Sequence, residues 1–165
     1  MASILKVDEI QDISGKKILQ NTGSVLQVVQ GSTTSHLNTS STSYVDSGVS
    51  ASITPSSTSS KILVLVSLHA GTVDSGGNGA ETGIQLLRDS TQIAEYQRGI
   101  FHSDSTGGTS HVDAVISLCK LDSPSTTSSV TYKPQVKTSS GTFRVNDYTA
   151  SVNSTSSITL MEIAG

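Results

Sequence analysis

From Val25 to Gly165 the chain repeats one pattern, in which short stretches of alternating apolar and polar residues are separated by clusters of Ser, Thr and Gly. Alternation with period two places one set of side chains on each face of a strand, whereas a helix needs apolar residues three and four apart. The sequence therefore predicts an all-β protein: an antiparallel β-sandwich, of the jelly-roll kind, with about eight or nine strands. Ser and Thr make up about a third of the residues and Trp is absent, which suits strands joined by solvated turns better than helices.

The first strand expected is "SVLQVVQ" at 24–30. In "SGVSASITPS", Val49, Ala51 and Ile53 alternate with Ser50, Ser52 and Thr54 up to Pro55. "KILVLVSLHA" begins with a run apolar on both faces and reads as a central strand covered on both sides at its start. "TGIQLLRDSTQIAEYQ" has a polar break at Arg88–Gln92 and reads as a hairpin, next to a loop, "DSGGNGAE", expected to be mobile. In "HVDAVISLCKLD", Val112, Ala114, Ile116 and Leu118 oppose Asp113, Val115, Ser117 and Cys119. "SSVTYKPQVKT" carries Pro134, which demotes it to an edge or a bulge because proline cannot donate to a ladder. "GTFRVNDYT" and the terminal "SSITLMEIA" complete the set, and a terminal strand pinned in a sheet is expected to be needed for folding.

The opening of the chain differs. "SILKVDEIQDISGKKILQ" at 3–20 has Ile4, Val7, Ile10 and Ile13 three apart, a spacing that fits neither a helical stripe nor a strand, and then a Gly15-Lys16-Lys17 turn signal. This divides the chain into an N-terminal arm, residues 1–30, and a head, residues 31–165. The arm reads either as an element lying on the sandwich or as an anchor that binds a larger particle through Ile4, Leu5, Val7, Ile10, Ile13, Ile18 and Leu19.

Several function classes are excluded or left without support. The net charge is −3 with six aromatic residues, so there is no basic stripe for a phosphate backbone and no nucleic-acid partner is expected. "ILVLV" is the longest apolar run, far below the roughly 20 residues of a membrane span, so no membrane insertion is expected. Lys6, Asp8, Glu9 and Asp12 interrupt the N-terminal apolar residues, unlike a secretory leader, which points to synthesis in a cytosol. Cys119, the single cysteine, is expected to be a small buried core residue.

The wording "ILKVDEIQDISGKKIL", then "TSSTSYVDSGVSASITPSSTSSKILVLVSL", then "STSSITLMEIAG" resembles small virion proteins of tailed bacteriophages, particularly marine and cyanobacterial phages, over almost the whole chain. The resemblance implies a tail fibre or related appendage with a trimeric jelly-roll head similar to those of tumour necrosis factor and complement C1q. It implies localisation in the virion, with other tail or capsid proteins as partners. A capsid decoration or head-fibre protein of the same architecture is the alternative, and a soluble carbohydrate-binding module a further one. A homotrimer also has a physical motive: Ser/Thr-rich strands bury little apolar area, and association adds burial.

Candidate chemistry is sparse, and the chain reads as non-enzymatic with no cofactor and no metal. His111 with Asp113 and His102 with Asp104 repeat an H-x-D spacing, but a transition-metal site needs three or four converging groups. His69 reads as a polar residue at a strand end. No serine sits in a G-x-S-x-G elbow, "SGGNGAETG" does not make a dinucleotide loop, and the four glutamates are scattered. Tyr96, Asn146, Asp147 and Tyr148 are the candidates for contact with host cell-surface polysaccharide; ordinary packing and turn roles are the plainer reading.

Overall fold

The computed structural model describes residues 22–74, 81–97, 110–147 and 154–165. The arm residues before Thr22, the loop at 75–80, His102, Asp104 and Tyr148 lie outside the described residues. Eleven strands are present among those described: β1 (Val25–Thr33), β2 (Leu37–Thr39), β3 (Val45–Asp46), β4 (Ala51–Ile53), β5 (Lys61–Asp74), β6 (Thr82–Arg88), β7 (Thr91–Gln97), β8 (Ser110–Asp122), β9 (Val130–Thr138), β10 (Thr142–Val145) and β11 (Ser156–Ile163). Among the described residues no helix is long and apolar enough to cross a membrane.

The eight principal strands pair as one long hairpin folded on itself: β1 with β11, β4 with β9, β5 with β8 and β6 with β7, all antiparallel. Cross-links of β11 to β5 and of β9 to β6 then close two sheets. One sheet has six strands, β1-β11-β5 with β8 and β10-β2 also built on β5; the other has five, with β3 and β4 on one flank of β9 and then β6 and β7. This nesting is the jelly-roll arrangement.

The alternation read from the sequence becomes inside and outside. Ile62, Val64, Val66, Leu68, Ile158 and Leu160 of one sheet face Val130, Tyr132, Val136, Ile84 and Leu86 of the other, all of them buried. The sheets approach so closely beside β1 that Gly31, opposite Ile158, leaves no room for a Cβ, which would strike the Ser50 carbonyl oxygen. Asp89 has φ 54° and turns the β6–β7 hairpin, with Arg88 paired to Thr91 across a two-residue connection.

Four expectations are corrected. The sheet begins at Val25, so residues 25–30 belong to the sandwich and not to an arm. β9 is an interior strand: β6 pairs along one flank, and β3 and β4 along the other. Pro134 is tolerated because the flanking ladder breaks opposite it, between β3 and β4, where Ser47 N donates to Pro134 O at 3.1 Å. The N and C=O of a strand residue share a flank, so the missing N–H also falls at that break. Cys119 is exposed, since alternation that buries Leu118 must turn its neighbour outward. The start of β5 is covered on one face only: Leu63 is half-buried and Leu65 is 36% exposed.

Candidate functional site

Of the expected glycan contacts, Tyr148 lies outside the described residues, and Tyr96 stands on the other sheet from Asn146 and Asp147. Tyr96, on β7, is half-buried and packs against the core on the inner side of the five-stranded sheet. Asn146 follows β10 in the other sheet and is fully buried with φ 57°. Its Nδ2 donates to Thr33 O (3.0 Å) and Ser35 O (3.2 Å), and its Oδ1 accepts from Ser156 Oγ at 2.7 Å. Every side-chain polar atom is thus committed to tying the β1–β2 connection to β11. Asp147 is half-buried, accepting from Asn38 Nδ2, with His36 Nδ1 at 3.7 Å. His69 lies within β5 and not at its end.

Asp74, Asp122 and Glu162 are the buried carboxylates among the described residues, and the last two join strands through hydrogen bonds. Asp122 Oδ2 accepts from Arg88 Nη1 and from Tyr132 Oη, each at 2.7 Å, joining the end of β8 to β6 and β9 across the sandwich. Burial and then the hydrogen bond to Asp122 push the Tyr132 phenol well above its ordinary range. Glu162, fully buried on β11, accepts from Ser56 N (2.7 Å), Ser56 Oγ (2.6 Å) and Gln27 Nε2 (2.6 Å). Burial alone would raise its pKa, but these donors outweigh it and lower the value to about 2.

The outward face of the five-stranded sheet carries a polar network that sequence reading missed. Lys133 Nζ and Gln135 Nε2 donate to Asp46 at 2.8 and 2.6 Å, and Gln85 Nε2 donates to Gln135 Oε1 at 2.6 Å. The Lys133 contact, then that of Gln135, lowers the Asp46 pKa. Alongside, Tyr44 Oη donates to Glu95 Oε1 (2.8 Å), Gln92 Nε2 donates to Glu95 Oε2 (3.1 Å), and Lys137 Nζ sits 4.3 Å from the centre of the Tyr44 ring. Burial, then the Glu95 contact, raises the Tyr44 pKa. This cluster borders a cavity of about 300 Å³ lined by Thr42, Glu81, Thr82, Gly83, Lys137, Thr138 and Ser139. Gly83 leaves room for Tyr44 and Lys137, whose atoms would lie 2.9 Å from a Cβ there.

The outward face of the six-stranded sheet is different in kind. The pairing register sets Val28, Met161, Leu63 and Leu121 in one row across four strands. Val25 and Ile163 flank this row on one side, and Leu65 with Cys119 on the other. The row after that is Ser32, Ser157, Ser67 and Ser117. His111 and Asp113 point to this face as well, and among the described residues no three His, Cys, Asp or Glu side chains converge as a metal site.

These features define a jelly-roll β-sandwich with one polar and one apolar outer face. No family model matches the sequence, and no curated protein matches it. Among solved structures, the chain is similar to a protein of T=1 particles derived from infectious bursal virus, at 14% identity and a TM-score of 0.41, over 95% of this chain and 41% of that one. It is similar also to infectious bursal disease virus Gx strain, at 14% identity and 0.35, over 96% and 43% of the two chains. The VP2 subviral particle of infectious bursal disease virus gives 14% and 0.31, over 86% and 39%. The chain spans about two fifths of the length of these proteins.

Proposed function

We propose that the protein is a non-enzymatic structural component of a phage virion: a homotrimeric tail fibre or spike-like appendage whose N-terminal segment, through Ile4, Leu5, Val7, Ile10, Ile13, Ile18 and Leu19, attaches it to the particle. One observation carries this reading. Two of the phrases that resemble phage virion proteins, "SKILVLVSL" and "SSITLMEIAG", fall on the first part of β5 and on β11, the paired strands at the centre of the six-stranded sheet, in register from Ser67↔Ser157 to Lys61↔Ile163. Part of the resemblance thus falls on the spine of the sandwich, beside the part that falls on turns and short strands between Ser41 and Ser60. In support, the buried carboxylates Asp122 and Glu162 are held in structural hydrogen bonds, so neither serves as a free acid or base.

Contact with host polysaccharide belongs, in this reading, to the polar face beside the Thr/Ser-lined cavity. There the Tyr44 ring stands beside a cavity lined by the hydroxyl residues Thr42, Thr138 and Ser139. Mass spectrometry of density-purified particles of the encoding virus tests the proposal. The chain is expected at a fixed stoichiometry to the tail proteins. Stoichiometry to the major capsid protein would favour a decoration protein, and absence from particles would overturn both readings.

A further inference from the structure

We propose that the outer face of the six-stranded sheet, centred on the Val28–Met161–Leu63–Leu121 row, is the surface through which copies of this chain bind one another. The inference rests on the appendage reading only in supposing a homo-oligomer, and it names the surface that would make one.

Four of the six exposed large apolar side chains among the described residues gather here; Leu26, at the irregularity in β1, and Val115, beyond the serine row, are the other two. Val25 is 53% exposed, Val28 55%, Leu65 36% and Leu121 50%. All four point outward from this one sheet, with half-buried Leu63, Met161 and Ile163 between them. A row across four strands about 4.8 Å apart, extended over three rows along the strands, covers on the order of 400 Å². A stable interface takes roughly 800 Å² from each partner, with an apolar centre and a polar rim. The apolar rows supply that centre. Gln30, Thr159 and the four-serine row supply an uncharged rim on one side.

Charge favours a second copy as the occupant. Lys61 is the one ionisable residue in the apolar rows apart from the Cys119 thiol, so such faces gather about a shared axis with little repulsion. The opposite outer face shows the contrast: Asp46, Lys133, Gln135 and Gln85 already satisfy one another and present a hydrated surface. Both flanking strands of the apolar face, β1 and β8, pair on one side only among the described residues, so the apolar rows run to the outer strands of the sheet.

The test is light scattering coupled to size-exclusion chromatography on the full chain and on Val28→Glu/Leu121→Glu. Both side chains face solvent in the single chain, so near-native circular dichroism is expected for the variant. The wild type should run as an oligomer. The variant should dissociate roughly 100-fold more readily and run at the single-chain mass of 17.1 kDa. An oligomeric wild type with an equally oligomeric variant would overturn this face while leaving the appendage reading intact. A monomeric wild type would overturn self-association; if shortening that chain to begin at Thr22 then raised dye binding to exposed apolar surface, the N-terminal segment would be the occupant. Should Val28→Glu/Leu121→Glu misfold, Val28→Ser/Leu121→Ser is read by the same criteria.

Discussion

Gln27 and Glu162 lie opposite each other on β1 and β11, beside the irregularity in β1's register, and are joined at 2.6 Å. Gln27 Nε2 also reaches Thr54 O at 2.8 Å, and Glu162 takes both donors of Ser56. The pair therefore pins the segment after β4 to the edge of the other sheet.

Acid should release this connection. The folded-state pKa of Glu162 is depressed, so its contribution to stability is fully present above the ordinary value of 4.5 and is lost as pH falls through about 2. Thermal melts are expected to show a falling midpoint between about pH 4.5 and 2. Glu162→Gln should flatten that limb and cost about 1–3 kcal/mol at neutral pH, because an amide cannot accept all three donors. An unchanged acid limb would contradict this role.

The Asp122 connection should be as sensitive. Removing the carboxylate by Asp122→Ala leaves Arg88 and the buried Tyr132 hydroxyl without their shared acceptor. Denaturant titration is expected to show a loss of about 3 kcal/mol. Ser123→Ala, one residue further on and exposed, should stay within about 0.5 kcal/mol.

The closing strand is expected to be indispensable. Deleting Ile158–Gly165 removes most of β11, which lies between β1 and β5, together with buried Ile158, Leu160 and Glu162. Expression should yield no cooperatively folding protein. Val64→Asp, an unpaired charge at a fully buried position, should give the same result by differential scanning fluorimetry.

Cys119 reports on the apolar face. It lies opposite Leu65 in the β5–β8 register and is exposed, so a thiol reagent should modify it rapidly in the dissociated Val28→Glu/Leu121→Glu variant. Modification should be at least about tenfold slower in the assembled wild type, where covering must open first. Equal rates would place Cys119 outside any interface.

Much of the fold was legible because alternation encodes faces directly. Val49, Ala51 and Ile53 are buried as the pattern requires, and so is Leu118. The hairpin expected from the break at Arg88–Gln92 is present, with its turn narrowed to Asp89 and Ser90. What the pattern hides is which face meets the core. "KILVLV" looks doubly buried because outward Leu63 and Leu65 are as apolar as inward Val64 and Val66. Pro134 looks like an edge residue because the break in its neighbour is a matter of topology. The Tyr44–Glu95 contact joins residues 51 apart and depends on strand order, which no local signal carries. "RVNDYT" resembles a loop tip, yet Asn146 is buried because its left-handed backbone and amide tie three segments together.

The most direct test of the virion assignment is immunogold electron microscopy of purified particles of the encoding virus, with antibodies raised against the chain. Gold at the tail or its appendages is the result expected; particles that carry no gold anywhere, alongside free protein in the lysate that does, would contradict the assignment.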